Sequence, residues 1–222
     1  MTVTSTATPW PVQILERDAI VNGDLSVPES ARGLVVFAHG SGSSRHSTRN
    51  IAVAQALQHQ GYATLLLDLL TPDEDRSDAV TAEFRFDIPL LGDRVTAAID
   101  WAMSDSRTAK LPIALFGAST GAGAALIGAA KRPEAVRAVV SRGGRPDLVG
   151  PLIATVHAPI LLIVGGLDDV VIELNREALA RTTAPARLDI VPGATHLFDE
   201  PGTLDQVVQL AIDWLDRHLA ST

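Results

Sequence analysis

The sequence predicts an α/β fold, a doubly wound and mostly parallel sheet with an antiparallel N-terminal edge and helices on both faces. Short, almost continuously apolar runs recur along the chain, which is typical of strands covered on both faces. Between them lie segments with apolar residues three or four positions apart, as in amphipathic helices. This alternation predicts βαβ units joined by right-handed crossovers.

The N-terminal edge is predicted from two alternating segments. Residues 12–16 and 19–27 are separated by Arg17-Asp18, and the second segment contains Asn22-Gly23. Such a pattern is typical of a β-hairpin. We therefore expect an antiparallel pair before the parallel strands.

The parallel strands and the helices follow in alternation. The apolar runs are residues 34–38, 63–67, 113–116, 136–140 and 160–164, with a last strand predicted at 186–191. Helical spacing is found for Ile51, Ala54 and Leu57, for Val95, Ala98, Ile99 and Ala102, and for Leu204, Val207, Val208, Ala211, Ile212 and Leu215. The length of 222 residues suits a single domain over residues 1–222.

One stretch, Thr71–Gly92, looks irregular and is rich in charged residues, with Phe84 and Phe86 among its apolar members. Two interpretations stay open. It is either a surface connection with a short helix, or a small lid, because long loops inside compact domains are often functional.

Composition excludes several classes of function. Eighteen basic and 26 acidic side chains give a net charge of −8, which argues against binding nucleic acid or an anionic membrane. With no cysteine, the chain has no disulfide, Cys-ligated metal site or thiolate nucleophile. No run of 18 apolar residues occurs, and Met1–Pro11 lacks the features of a secretory signal. We expect a cytoplasmic protein.

A Gly-x-Ser-x-Gly motif, Gly117–Gly121, lies between a predicted strand and a predicted helix of small residues. In this context the serine occupies a tight, strained turn with its hydroxyl exposed above the sheet. The helix N-terminus that follows favours developing negative charge. Ser119 is therefore the predicted nucleophile, the alternative being a glycine turn whose serine caps the helix.

A nucleophilic serine needs a base, and the base needs an orienting carboxylate. In hydrolases with this motif, the acid and then the histidine follow the serine along the chain. Asp168 comes just after the strand at 160–164 and is the predicted acid, whereas Asp169 competes with it or starts the next helix. His196 lies in a glycine-containing loop before the final helix and is the predicted base.

Five other histidines compete for the role of base. His39 follows a strand in a His-Gly pair and is expected to shape that loop. His46 lies in a polar loop where it could contact substrate, but the chain order gives it no role as base. The remaining three lie on predicted helices or before Ala-Pro: His59, His218 and His157.

The Gly- and Ser-rich segment 39–46 follows the strand at 34–38. Such a loop supplies one backbone N–H to a tetrahedral oxyanion, and the residue after the nucleophile supplies the second. The predicted donors are the amides of Ser41 and Thr120. A phosphate loop is the rival interpretation, but no Gly-Lys-Ser/Thr follows.

Two pairs of arginines, Arg45 with Arg49 and Arg142 with Arg145, follow strands that end at the same sheet edge as the predicted nucleophile. They could hold a substrate carboxylate or phosphate, with Arg45 and Arg142 as the predicted contacts. Alternatively, they pair with acidic side chains such as those of Asp73–Asp78.

Taken together, the four motifs resemble those of an α/β-hydrolase, and within that superfamily the small dienelactone-hydrolase-like branch, over about residues 12–219. They are His39-Gly40-Ser41-Gly42, Gly117-Ala118-Ser119-Thr120-Gly121, Gly165-Gly166-Leu167-Asp168 and Gly193-Ala194-Thr195-His196. Dienelactone hydrolases proper use a cysteine nucleophile, whereas this motif carries Ser119. The resemblance therefore implies a serine carboxylesterase more than a lactone-specific enzyme.

We expect a serine hydrolase that acts on a small ester, thioester or lactone, including anionic ones, with no metal or organic cofactor. A peptidase or acyltransferase with the same triad is one alternative. A non-catalytic ligand-binding protein that keeps the fold is another, because fold alone does not establish function. A monomer or a homodimer is expected, with no nucleic-acid or membrane partner.

Overall fold

The computed structural model describes residues 9–219. Eight strands form one sheet in the order β1-β2-β4-β3-β5-β6-β7-β8. Their bounds are β1 Trp10–Glu16, β2 Ala19–Ser26, β3 Leu34–Ala38, β4 Ala63–Leu67, β5 Ile113–Ala118, β6 Val136–Arg142, β7 Ile160–Gly165 and β8 Ala186–Val191. Strand β2 pairs antiparallel with β1 and β4, and the other pairs are parallel. The predicted fold class is confirmed.

Helices cover both faces of the sheet. Their bounds are α1 Thr48–His59, α2 Pro72–Thr81, α3 Ile88–Ser104, α4 Thr120–Lys131, α5 Asp169–Arg181 and α6 Thr203–His218, with a 3₁₀ segment at Pro146–Thr155 that kinks at Gly150. Helices α1 and α6 pack on one face, and α3 and α4 on the other. None of the helices within residues 9–219 is both long and apolar enough to cross a bilayer.

Burial explains the two kinds of strand pattern. Every residue of β3, β4, β5 and β7 is buried, which is why these strands are continuously apolar. Strand β1 lies at the sheet edge, so Val12 and Ile14 face the core while Gln13 and Leu15 are exposed. Most of Met1–Pro11, where no secretory signal is expected, lies outside the described residues.

Thr71–Gly92 is more regular than expected, because it contains the whole of helix α2 and the start of α3. Helix α2 begins at Pro72, and a capping box of Thr71 with Glu74 satisfies its first N–H groups. Helix α3 begins at Ile88 after Asp87, which accepts a hydrogen bond from the N–H of Leu90. Helix α2 has few apolar residues, so apolar spacing does not predict it, although its capping residues can be recognised in the sequence.

Two buried charges hold this segment, one by tying it to the sheet and to α3 and the other by contacts within the segment. Arg94 is 2% exposed and donates to Glu16 on β1 at 2.7 Å and to Glu74 on α2 at 2.8 Å. Asp78, 3% exposed, accepts the N–H groups of Phe84 and Arg85 at 2.8 Å. These contacts favour a fixed connection over the alternative of a lid.

Candidate active site

Ser119 occupies a strained turn between β5 and α4. Its φ of 51° and ψ of −122° are unfavourable for a residue with a side chain and cost about 1–3 kcal/mol. A Cβ atom at Gly117 would lie 2.4 Å from Ala122 Cα, and one at Gly121 2.3 Å from the carbonyl oxygen of Ala38. The flanking glycines are therefore required sterically. The Ser119 hydroxyl makes no capping hydrogen bond to α4, which disfavours the role of a helix cap.

A chain of hydrogen-bonding distances connects Ser119 to His196 and Asp168. His196 Nε2 lies 3.3 Å from Ser119 Oγ, and His196 Nδ1 lies 2.6 Å from Asp168 Oδ2. Because a carboxylate accepts hydrogen bonds, Nδ1 carries the ring proton and Nε2 presents a lone pair to the serine hydroxyl. The structure thus brings the three predicted residues together in the arrangement of nucleophile, base and orienting acid.

The two candidate acids differ in position. Asp168 contacts the histidine and is mostly buried, with its side chain 15% exposed, whereas Asp169 is the first residue of α5. A Cβ atom at Gly165 would lie 2.5 Å from the carbonyl oxygens of Ala194 and Thr195, so the end of β7 lies directly against the histidine loop. The predicted choice between the two aspartates agrees with this geometry.

The histidine loop is held by a carboxylate that sequence reasoning missed. Glu200 accepts hydrogen bonds from the N–H of Thr195 at 3.0 Å and from its hydroxyl at 2.6 Å. These bonds lower the pKa of Glu200. Phe198 is buried with a φ of 57° and anchors the next turn. No motif in the sequence marks Glu200, because its role depends on the turn that the loop adopts.

The two predicted oxyanion donors line one cavity beside the nucleophile. Ser41 and Thr120 contribute to its wall, and a Cβ atom at Gly40 would lie 3.1 Å from Ser119 Cβ. Within residues 9–219, neither the N–H of Ser41 nor that of Thr120 has a hydrogen-bond acceptor in the protein. Two free donors beside a serine hydroxyl suit the stabilisation of a developing oxyanion.

Arg45, a predicted substrate contact, forms ion pairs with two carboxylates. Its Nε lies 3.2 Å from Asp24 Oδ2, its Nη1 pairs with Asp68, and its N–H donates to Asp68 Oδ1 at 2.8 Å. The geometry favours the ion-pairing alternative, although the partners lie on β2 and just after β4 rather than in the acidic stretch.

Arg142, the other predicted substrate contact, is 7% exposed. Its Nη2 donates to Asn50 Oδ1 on α1 at 3.2 Å, and its Nη1 has no acceptor in the described part of the chain. Burial and the charge of Arg49 lower its pKa to about 10. Arg49 pairs with Asp199 at 3.0 Å. So little of Arg142 is accessible that a direct substrate contact is disfavoured.

A third arginine, which sequence reasoning missed, lines the same cavity as the candidate oxyanion donors. Arg85 Nε donates to Asp78 Oδ2 at 2.7 Å, and its Nη2 donates to the Asp78 carbonyl oxygen at 2.6 Å. Its Nη1 lies 3.8 Å from the position of a Cβ atom at Gly42 in the oxyanion loop. The residue was hidden because its segment looked like an acidic surface connection.

Metal-ligating side chains are dispersed. Across residues 9–219, there is no group of three or more His, Asp and Glu side chains placed to hold a metal ion.

Comparison with known proteins bears on this geometry. The model of the dienelactone hydrolase family matches residues 21–214. The chain belongs to the dienelactone hydrolase family. A crystal structure of a dienelactone hydrolase from Anabaena variabilis is 50% identical, covers 95% of this chain and 99% of that chain, and superposes with a TM-score of 0.92. The family match covers all the predicted site residues.

Two further proteins similar to this chain come from Mycobacterium tuberculosis. A putative phosphoribosyl transferase is 57% identical over 94% of this chain but only 46% of its own length. An uncharacterized protein is 30% identical over 95% of this chain and 79% of its own length. The chain therefore spans about half the length of the first of these relatives.

Proposed function

We propose that the protein is a serine hydrolase that cleaves a small carboxylic ester, thioester or lactone through an acyl-enzyme. This proposal rests on the series of contacts from Asp168 through His196 to Ser119, next to two backbone N–H groups that have no acceptor within residues 9–219. Membership of a hydrolase family supports it.

In the proposed reaction, Ser119 Oγ attacks the carbonyl carbon while His196 Nε2 removes the hydroxyl proton. Asp168 holds the proton on Nδ1 and stabilises the imidazolium that forms. The N–H groups of Ser41 and Thr120 hold the oxyanion. The imidazolium then protonates the leaving alcohol or thiol, and His196 activates water to release the acid and regenerate the serine.

Arg85 supports an extension of this proposal to anionic substrates. Asp78 holds two of its guanidinium nitrogens, so the third is oriented toward the oxyanion loop without further loss of side-chain freedom. An acyl group with a carboxylate near its carbonyl would meet this nitrogen. Arg85 therefore replaces Arg45 and Arg142 as the proposed contact for a negative charge.

Transfer of a phosphoribosyl group is not proposed for this chain. That name belongs to a relative that has 54% of its length outside the matched region. The serine, histidine and aspartate described above belong to this chain, which is what the matched region covers. The cytoplasmic location and the monomeric or homodimeric state expected from the sequence remain proposals that rest on composition and fold.

Hydrolysis of short-chain p-nitrophenyl esters tests the proposal. Wild-type protein should show turnover, with a rapid first release of about one p-nitrophenolate per active site if deacylation is slow. Ser119→Ala should reduce kcat/KM by at least about 10³-fold. Turnover that survives in Ser119→Ala, or no turnover by wild type on esters, thioesters and lactones, would contradict it. Added alcohols or peptide amides would reveal the acyltransferase and peptidase alternatives.

A further inference from the structure

His39 is a buried histidine that the proposed mechanism leaves unused. It is 7% exposed and follows β3 at the start of the oxyanion loop. Its Nδ1 lies 2.8 Å from the carbonyl oxygen of Gly40, and the N–H of Leu69, just after β4, donates to its Nε2 at 3.1 Å. Both ring nitrogens are thus engaged by backbone groups of two different segments.

These contacts fix the protonation state of the ring. A carbonyl oxygen accepts and an N–H donates, so Nδ1 carries the proton and Nε2 carries the lone pair. A second proton would place Nε2–H against the N–H of Leu69. Burial lowers the pKa of His39, and the hydrogen bond to the Gly40 carbonyl and the nearby carboxylates of Asp68 and Asp75 only partly oppose that effect. The neutral ring is the form that fits.

The Gly40 carbonyl belongs to the same peptide unit as the N–H of Ser41. In a trans peptide these two groups point in opposite directions. There are no cis peptide bonds in the described residues. A ring that holds the carbonyl on one side therefore holds the Ser41 N–H on the other, and Gly40 itself lies against Ser119.

We propose that His39 is a positioning residue that sets the orientation of the Gly40–Ser41 peptide, and so aims the Ser41 N–H at the developing oxyanion. The N–H of Ser43 also donates to the Gly40 oxygen, at a longer 3.3 Å. That bond lies within the loop and moves with it. His39 also contacts Leu69, just after β4, and so ties the peptide to a segment outside the loop.

Two substitutions separate the two contacts of the ring. The amide of an asparagine ends near the position of Nδ1 and can donate to the Gly40 oxygen, whereas that of a glutamine reaches near Nε2 and can accept from Leu69. Each variant loses one backbone hydrogen bond, so their thermal stabilities should be similar. A difference in kcat between them then reports on the peptide and not on folding.

The kinetic readout rests on the proposed function, because it needs turnover of a p-nitrophenyl ester. His39→Gln should lower kcat about 10²-fold with little change in KM, since a misdirected N–H is equivalent to a lost oxyanion donor. His39→Asn should lower kcat by less than about tenfold. Equal losses in the two variants, a larger loss in His39→Asn, or no loss in either would overturn the proposal.

A second measurement does not depend on activity. Nitrogen chemical shifts of the His39 ring in ¹⁵N-labelled wild-type protein at pH 7 distinguish the two neutral tautomers from the imidazolium. The Nδ1–H tautomer is expected. The Nε2–H tautomer or a doubly protonated ring would overturn the positioning role, whether or not the protein turns out to be a hydrolase.

Discussion

Asp168 Oδ2 lies 2.6 Å from His196 Nδ1, whereas Asp169, the next residue along the chain, begins helix α5. One peptide bond thus separates a carboxylate that orients the candidate base from one that is placed at a helix N-terminus. The two glycines before them let the end of β7 approach the histidine loop. The two aspartates provide a matched pair of substitutions.

Asp168→Asn should lower kcat for a p-nitrophenyl ester by about 10³–10⁴-fold, because an amide no longer selects the Nδ1–H tautomer or stabilises the imidazolium. Asp169→Asn should lower it by less than about threefold, since Asp168 and not Asp169 contacts His196. The charge of Asp169 at the N-terminus of α5 contributes only about 0.3–1 kcal/mol, and to stability. Steady-state kinetics of both variants check this. Similar losses in both would contradict the assignment of Asp168.

Arg85→Gln should discriminate between substrates by charge. For esters with a carboxylate on the acyl group, kcat/KM should fall about tenfold or more, whereas for neutral esters of the same size it should change little. Arg45→Gln is the matched control, because its guanidinium is held by Asp24 and Asp68. Equal losses on both substrate series in Arg85→Gln, or a charge-dependent loss in Arg45→Gln, would contradict this prediction.

Arg94 should be important for stability. Its side chain is buried between Glu16 and Glu74, so Arg94→Met removes the buried cation that pairs with two mostly buried carboxylates and should cost about 3–5 kcal/mol in the free energy of unfolding. Glu16 then retains the exposed Arg17, and Glu74 retains the N–H of Thr71. Arg132→Met removes a half-exposed pair with Asp100 and should cost about 0–1 kcal/mol. Urea unfolding compares them. A small effect for Arg94→Met would show that helix α2 is not anchored as described.

His39 should make stability depend on pH. Because burial lowers its pKa in the folded state, the unfolded chain binds a proton that the native protein does not. The part of the unfolding free energy that depends on a neutral His39 is therefore fully present above the unfolded pKa of about 6.5. Below that pH it falls by up to about 1.4 kcal/mol per pH unit. Urea unfolding at pH 7.5 and pH 5.5 should show a smaller difference for His39→Asn than for wild type.

His218, whose pKa burial also lowers, contributes in the same direction and is present in both proteins. His59→Asn, a substitution at an exposed position on α1, controls for the removal of an imidazole. An unchanged pH dependence in His39→Asn would contradict a neutral buried ring.

Much of the fold could be predicted because burial leaves a direct pattern in the sequence. The fully covered strands β3 and β4 have the predicted bounds, and β5, β6 and β7 extend one or two residues further. Those extra residues lead into the site loops, where glycine and serine interrupt the apolar pattern. The bounds of helix α2 could not be predicted, because few of its residues face the core and its sequence therefore has no apolar period.

The candidate site, like the fold, could be predicted from the sequence only in part. Ser119, Asp168 and His196 could be found because each follows a strand in a turn that needs glycine, and their order along the chain is informative. Arg85 and Glu200 could not, because their roles depend on loop conformations with no local signature. Arg45 and Arg142 were predicted as substrate contacts from the edge of the sheet where they lie. Whether a substrate can reach them depends on the direction of each side chain, which is set by an acidic or amide partner distant in sequence.

The identity of the nucleophile is tested most directly by labelling with a fluorophosphonate probe, followed by mass spectrometry of the labelled peptide. Wild-type protein should carry one adduct, on Ser119, and Ser119→Ala should carry none. Ser43→Ala, which removes a hydroxyl from the wall of the cavity that Ser41 and Thr120 also line, should be labelled like wild type. An adduct on another residue, or labelling that persists in Ser119→Ala, would contradict a serine hydrolase built on Ser119.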